Sequence, residues 1–158
     1  MKTLLRIVLI ALVAALAAPA AAQDKGTSNM EILRQKVKAD KKLVVALNMG
    51  ITEAEGKAFW PIYDAYQKDL EQINERLAKT IVAYAEAYNK GPVPNETAKK
   101  LLNETLAIEE AEVALKRSYE SKLEKALPEA KVARYIQIEN KIRALVRYEL
   151  AEKIPLVK

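Results

Sequence analysis

The sequence predicts an all-α protein: a long antiparallel helical hairpin with flanking N- and C-terminal helices, four helices in all, after a cleaved signal peptide. Three observations support this prediction. Apolar residues recur at intervals of three and four along most of the chain, which is the period of an amphipathic helix. There are only four glycines in the whole chain. No run of alternating β-branched residues bounded by turns indicates a strand.

The first 22 residues have the pattern of a secretory signal peptide. Lys2 and Arg6 make a basic start before the unbroken apolar run Ile7 to Ala18, and small residues lead up to a cleavage site between Ala22 and Gln23. A transmembrane anchor is the alternative, but the apolar run is short for a bilayer and its Ala-x-Ala ending favours cleavage. We therefore expect an exported, periplasmic protein whose mature part, residues 23–158, is a single helical domain.

Composition excludes several kinds of chemistry. The chain contains no cysteine and no histidine, so disulfides, imidazole or thiolate metal sites, and Ser-His-Asp or Cys-His catalysis are all impossible. Loss of Lys2 and Arg6 with the signal peptide lowers the formal charge from +5 to +3, which is too small to argue for nucleic acid. We expect no enzyme, no cofactor, no nucleic-acid partner and no stable membrane insertion after cleavage.

Capping boxes predict where the first two helices begin. Ser28 and Glu31 would cap a first helix that runs from Asn29 to about Met49, and Gly50 fits the left-handed residue that ends it. Thr52-Glu53-Ala54-Glu55 would begin a second helix that reaches about Tyr88. Apolar sides are predicted at Leu33, Val37, Val44 and Leu47 of the first helix, and at Phe59, Tyr63, Tyr66, Leu70, Ile73, Leu77, Ile81, Tyr84 and Tyr88 of the second.

Proline and glycine mark the interruptions. Pro61 lies inside the second helix and predicts a kink there or a break just before it. The run 89–94 predicts a tight connection that turns the third helix antiparallel to the second, with Asn95 as its cap. The third helix should reach about Ala126, and Pro128 should be the first residue of the last helix. Predicted apolar positions are Leu101, Leu102, Ile108, Val113, Leu115, Tyr119 and Leu123, then Val132, Tyr135, Ile138, Ile142 and Leu145.

Tyrosines and basic residues are the candidates for binding a partner. Tyr84, Tyr88 and Tyr148 lie near predicted helix ends and could form a partly exposed aromatic surface, whereas Tyr63 and Tyr66 are better explained by helix packing. Basic residues crowd the first and last helices and would attract acidic proteins or anionic lipid heads if they share a face, although a solvated charged surface explains each one separately. These basic residues are Arg34, Lys36, Lys38, Lys41 and Lys42, with Lys131, Arg134, Lys141, Arg143 and Arg147. The client-binding candidates are Tyr84, Tyr88, Arg134, Arg143, Arg147 and Tyr148.

Acidic residues offer weaker possibilities. Glu109, Glu110 and Glu112 could hold Ca²⁺ loosely, but no loop geometry is indicated and a charged helix face is the better interpretation. Asp64 and Asp69 could be imagined as an acid and base pair, but nothing in the sequence indicates a pocket between them.

The layout resembles the Spy/CpxP family of periplasmic chaperones and envelope-stress proteins. That family carries two Leu-Thr-x-x-Gln motifs at helix starts. Residues 51–55 stand at the first position with Ile for Leu and Glu for Gln, and residues 127–131 stand at the second and keep only the leucine. The chain resembles still more closely a set of proteobacterial exported proteins that carry no known activity, through residues 133–144 and 154–157.

The family resemblance implies an ATP-independent protein that binds non-native proteins on the concave side of a thin dimer of helical hairpins. Metal-responsive relatives bind through histidine or cysteine, which this chain lacks. A non-catalytic regulatory or structural partner of one specific envelope protein is the alternative. That alternative predicts a single stoichiometric partner, whereas a chaperone should have many weak ones.

Overall fold

The computed structural model describes residues 39–158, and this part of the chain is all-α. It contains four helices: α1 over 39–49, α2 over Glu53–Asn89, α3 over Asn95–Ala126 and α4 over Glu129–Lys153. No strand occurs within these residues, which confirms the predicted fold class. The signal peptide, its cleavage site at Ala22 and Gln23, and the first capping box lie outside the described residues.

The described chain divides into two compact units. The hairpin unit comprises Ile51–Ile136 and the tail, Ile154–Lys158, so it contains α2, α3 and the beginning of α4. The terminal-helix unit comprises α1 and Gln137–Lys153, the longer part of α4. Each unit is described below by its own contacts.

The start of α2 has the predicted capping box. The Thr52 hydroxyl accepts a hydrogen bond from the Glu55 N–H at 3.2 Å, and the Glu55 carboxylate accepts one from the Thr52 N–H at 2.6 Å. Gly50, with φ of 58°, has the left-handed conformation predicted for it. The Glu55 carboxylate also accepts hydrogen bonds from the Lys131 ammonium at 2.6 and 2.8 Å, which ties the first turn of α4 to the first turn of α2.

Lys131 is the main reason that the pKa of Glu55 lies below its ordinary value. The Thr52 N–H lowers the pKa of Glu55 further, and partial desolvation opposes both effects. The capping carboxylate therefore remains ionised to lower pH in the folded protein than in the unfolded chain.

The second helix runs through Pro61 without a break, so the predicted alternative of a break before this residue is wrong. The proline ring is exposed, and it removes only one donor from a helix of 37 residues. Phe59 and Tyr63 are buried on either side of Pro61. Their packing holds the helix together across the missing hydrogen bond, so tertiary contacts override the local preference.

The hairpin unit is built around a cluster of aromatic side chains. The Tyr135 ring, fully buried, makes edge contacts with Phe59, Tyr63 and Tyr66 at centroid distances of 5.1, 6.1 and 5.9 Å. Tyr66 in turn meets the edge of Tyr119 at 5.4 Å. This geometry is the favoured one for aromatic pairs. The interpretation of Tyr63 and Tyr66 as packing residues is therefore confirmed.

Two cross-helix bonds confirm that α3 runs antiparallel to α2. Arg76 Nε lies 3.0 Å from Glu104 Oε1, and the Tyr119 hydroxyl donates to Asp69 Oδ2 at 2.6 Å, so the residue numbers fall on one helix as they rise on the other. Burial first, and then the Asp69 carboxylate, raise the pKa of Tyr119 to about 12. The hydroxyl stays protonated and donates steadily. Asp69 therefore helps to hold α2 against α3 as the acceptor of this hydrogen bond.

Two helix starts differ by one residue from the prediction. Pro94 occupies the N-cap of α3 in an extended conformation, and its carbonyl accepts the Ala98 N–H at 2.9 Å. Asn95 is therefore the first helical residue. The prediction that Asn95 caps the helix is wrong. Pro128 likewise precedes α4, whose first turn forms when its carbonyl accepts the Val132 N–H at 3.1 Å. In both places a proline carbonyl begins the helix one position away from the predicted residue.

Several predicted apolar positions face the solvent. Leu47 is exposed while Val45 and Met49 are buried, because a residue two positions from either lies about 200° around a helix from it. Leu145 is also at the surface. Leu102 and Val113 of α3 are exposed as well. Of the acidic residues Glu109, Glu110 and Glu112, which were predicted to form a charged helix face, Glu112 is buried. Ordinary packing accounts for fewer of the apolar side chains than the sequence suggested.

Candidate functional site

An exposed apolar stripe lies along α3. The α3 stripe consists of Leu102, Leu106 and Val113, whose exposed fractions are 57%, 49% and 58%. Their positions fall within about 40° of one another around the helix, so they share one face. The buried residues Ile108 and Tyr119 lie on a different face, roughly 130° away. The third helix is therefore apolar in two directions, and within the hairpin unit only one of them is buried.

The stripe has the dimensions of a short peptide contact. Eleven residues separate Leu102 from Val113, which corresponds to about 16 Å along the helix axis. That length matches about five residues of extended chain. Glu109 lies on the same line and is exposed, as are Lys99 and Arg117 near it, so charge of both signs borders the apolar side chains.

Sequence reasoning did not find this stripe as a separate surface. It assigned Leu102 and Val113 to a single wide packing face and did not include Leu106. A helical projection of α3 that separated the two apolar directions would have shown two faces, since the angular gap between them is large. It would not have shown which face packs against α2.

The predicted client-binding residues divide between the two units. Tyr84, Tyr88 and Arg134 belong to the hairpin unit, whereas Arg143, Arg147 and Tyr148 belong to the terminal-helix unit. Three of these side chains are exposed, namely Arg134, Arg147 and Tyr148. Arg143 is half-buried. The structure brings Tyr84 and Tyr88 together, with ring centroids 5.9 Å apart and planes inclined by 46°.

The tail, Ile154–Lys158, contacts both residues of the tyrosine pair, Tyr84 and Tyr88. The Tyr84 hydroxyl donates a hydrogen bond to the Pro155 carbonyl at 2.8 Å. The Lys158 ammonium lies 4.3 Å from the centroid of the Tyr88 ring, within the range of a cation–π interaction. No signal in the sequence indicated where residues 154–158 would lie.

The predicted basic cluster is only partly a surface feature. Lys41 lies in the terminal-helix unit, where its ammonium is 2.8 Å from a carboxylate oxygen of Glu139, whose side chain is 4% exposed. The expectation that Lys41 contributes a solvent-facing charge is therefore wrong, because a buried acid neutralises it. Arg34, Lys36 and Lys38 lie outside the described residues.

Within residues 39–158 no group of three or more carboxylates is placed to hold a metal ion. None of the helices in that range is long and apolar enough to cross a bilayer. Comparison with protein-family models, with curated proteins and with solved structures finds no match for the chain.

Proposed function

We propose that this protein is a periplasmic, ATP-independent chaperone-like protein that binds non-native proteins on a helical surface. The observation that best supports the proposal is the α3 stripe, because three large apolar side chains are exposed along one line of a helix whose other apolar side is buried. The resemblance to the Spy/CpxP family, stated on residues 51–55 and 127–131, points the same way.

The size of the stripe favours loose capture. Complete burial of a leucine or valine side chain contributes about 1.5–3 kcal/mol, and about half of each stripe residue is still open to water. Covering all three would then contribute about 2–4 kcal/mol, which does not exceed the usual cost of association. One stripe alone therefore binds weakly and releases readily. Such behaviour suits a protein that holds many partners without consuming an energy source.

Two further features fit this proposal. The charges of both signs beside the stripe, such as Glu109 and Arg117, would speed encounters with clients of either charge without fixing one geometry. A homodimer, which is part of the proposal, would present two stripes to one client. Linked weak contacts bind far more strongly than either alone when both can be reached at once.

An aggregation assay with a matched variant tests the proposal. Chemically denatured lysozyme is diluted with and without the mature protein, and light scattering is followed. The wild-type chain is expected to suppress scattering at several-fold excess. A variant with Leu102→Gln, Leu106→Gln and Val113→Gln should lose most of this protection while keeping its helical circular dichroism, since glutamine is a good helix former. Leu47→Gln, which alters an exposed leucine of the terminal-helix unit, is the control.

Absence of protection by the wild-type chain would contradict the chaperone proposal. Equal protection by the triple-glutamine variant would separate the activity from the α3 stripe. The alternative function, a regulatory or structural partner of one specific envelope protein, would instead yield one stoichiometric partner in a pulldown from envelope extracts.

A further inference from the structure

We propose that Tyr84 and Tyr88 form a docking site for an extended peptide segment that carries a cation, and that the tail of the same chain, Ile154–Lys158, occupies this site in cis. The inference goes beyond the proposed function because it concerns contacts separate from the α3 stripe. It does not require that the protein act as a chaperone.

The first contact recognises peptide backbone. The Tyr84 hydroxyl donates to the carbonyl oxygen of Pro155, a group that every residue of a peptide possesses. The fourth helix ends at Lys153, and Pro155 lacks an N–H with which to continue it. The tail is therefore free of helical hydrogen bonds, so its carbonyls are available to a donor on α2. A hydroxyl that binds a main-chain oxygen selects an extended segment and does not depend on its side chains.

The second contact fixes the direction of the segment. Tyr88 stands one turn beyond Tyr84 on α2, and its ring carries the Lys158 ammonium at 4.3 Å. Pro155 lies at the first tyrosine and Lys158 at the second, so the tail runs in the same direction as α2. A backbone donor followed by an electron-rich ring suits an extended segment that carries a cation three residues after the bonded carbonyl.

The tail holds this site loosely. Leu156 and Val157 are 90% and 56% exposed, so the apolar side chains of the tail add little buried surface to its docking. One hydrogen bond and one cation–π contact hold it, helped by the high local concentration that a covalent connection provides. A peptide of similar chemistry should therefore bind in trans once the tail is removed, and the intact tail should compete with it.

A peptide-binding experiment tests the assignment. One chain carries the tail and another ends at Lys153, so the truncation removes no helical residue. The probe is a fluorescein-labelled peptide of sequence Ile-Pro-Leu-Val-Lys, followed by fluorescence anisotropy. The shortened chain should bind the probe at least about fivefold more tightly than the full chain, since the cis competitor is gone. In the shortened chain Tyr84→Phe should weaken binding by about fivefold, the effect of one lost hydrogen bond.

The matched control is Tyr148→Phe in the same shortened chain, because Tyr148 is an exposed tyrosine of the terminal-helix unit. It should leave probe binding unchanged. Equal affinity of the full and shortened chains, or unchanged affinity after Tyr84→Phe, would overturn the assignment.

A second measurement uses the full chain and decides the matter if the shortened chain does not fold. In a chain produced to end at Lys158, this lysine is a substrate of carboxypeptidase B, and docking against Tyr88 should protect it from removal. Tyr88→Leu is expected to speed release of this lysine several-fold, whereas Tyr148→Leu should not. Equal release rates in all three chains would overturn docking of the tail. Both experiments leave the α3 stripe intact, so their failure is distinguishable from failure of the aggregation assay.

Discussion

Removal of the Tyr135 ring should destabilise the hairpin unit strongly, and removal of its hydroxyl alone should not. The ring is fully buried and meets Phe59, Tyr63 and Tyr66 edge-on. Tyr135→Ala leaves a cavity among these three rings, which typically costs about 3–5 kcal/mol. The hydroxyl accepts a hydrogen bond from the Gln67 amide at 3.2 Å. Tyr135→Phe keeps the ring and should cost about 0.5–1.5 kcal/mol.

Urea unfolding followed by circular dichroism measures both values. Tyr148→Ala serves as the control, because Tyr148 is an exposed tyrosine and its loss should change the free energy of unfolding by less than about 0.5 kcal/mol. The reasoning would be refuted if Tyr135→Ala cost less than about 1 kcal/mol, a typical effect of any substitution. It would equally be refuted if Tyr135→Phe cost as much as Tyr135→Ala, since the hydroxyl would then outweigh the ring.

Three further perturbations test other contacts, each by urea unfolding. Pro61→Ala should stabilise the protein by about 1–3 kcal/mol, because it restores a helical donor at an exposed position; a loss of stability would contradict this. Glu55→Gln should lower the free energy of unfolding at neutral pH. The difference from wild type should disappear as the pH falls through the lowered pKa of Glu55, because the wild-type carboxylate then also loses its charge. A difference that does not depend on pH would contradict this prediction. Lys41→Met should cost about 1.5–3 kcal/mol, the usual contribution of a hydrogen bond to a charged group, because it removes the ammonium 2.8 Å from the buried Glu139 carboxylate. Adding Glu139→Leu should recover part of the loss, and no recovery would exclude this ion pair as the cause.

The features predicted correctly from the sequence depend on neighbouring residues. The capping box at Thr52 and Glu55 requires only two side chains three positions apart, and Gly50 requires only its own freedom to adopt positive φ. The short run of prolines and glycine after Asn89 leaves little choice but a reversal of direction. Such local signals do not depend on where other helices lie, so a sequence is enough to recognise them.

The features that sequence reasoning missed depend on partners far along the chain. Lys41 and Glu139 are 98 positions apart, and no sequence pattern links residues at such a separation. A helix with two apolar directions, such as α3, does not reveal from its own residues which direction packs against α2. The hydrogen bond between Tyr84 and Pro155 joins residues 71 positions apart, and no periodic pattern in the sequence indicates it. The candidate surfaces therefore emerged only once the helices were placed.

The start of α3 was predicted one residue away from its observed position, with Asn95 in place of Pro94 as the N-cap. Asparagine is a preferred capping residue, but a proline before it already has the extended conformation that a cap requires. Pro94 supplies the first carbonyl of α3 without any side-chain bond. The competing preferences differ by little, so a one-residue shift is within the ordinary ambiguity of helix ends.

Site-directed photo-crosslinking tests most directly whether the α3 stripe binds non-native protein. A photoreactive phenylalanine analogue replaces Leu106 in one chain and Lys100 in another; both positions are exposed on α3, but Lys100 lies about 160° around the helix from Leu102. Each chain is irradiated while denatured lysozyme is diluted into it, and adducts are separated by mass. Our account predicts a strong lysozyme adduct from position 106 and little from position 100. Equal adducts from both positions, or none from position 106, would contradict it.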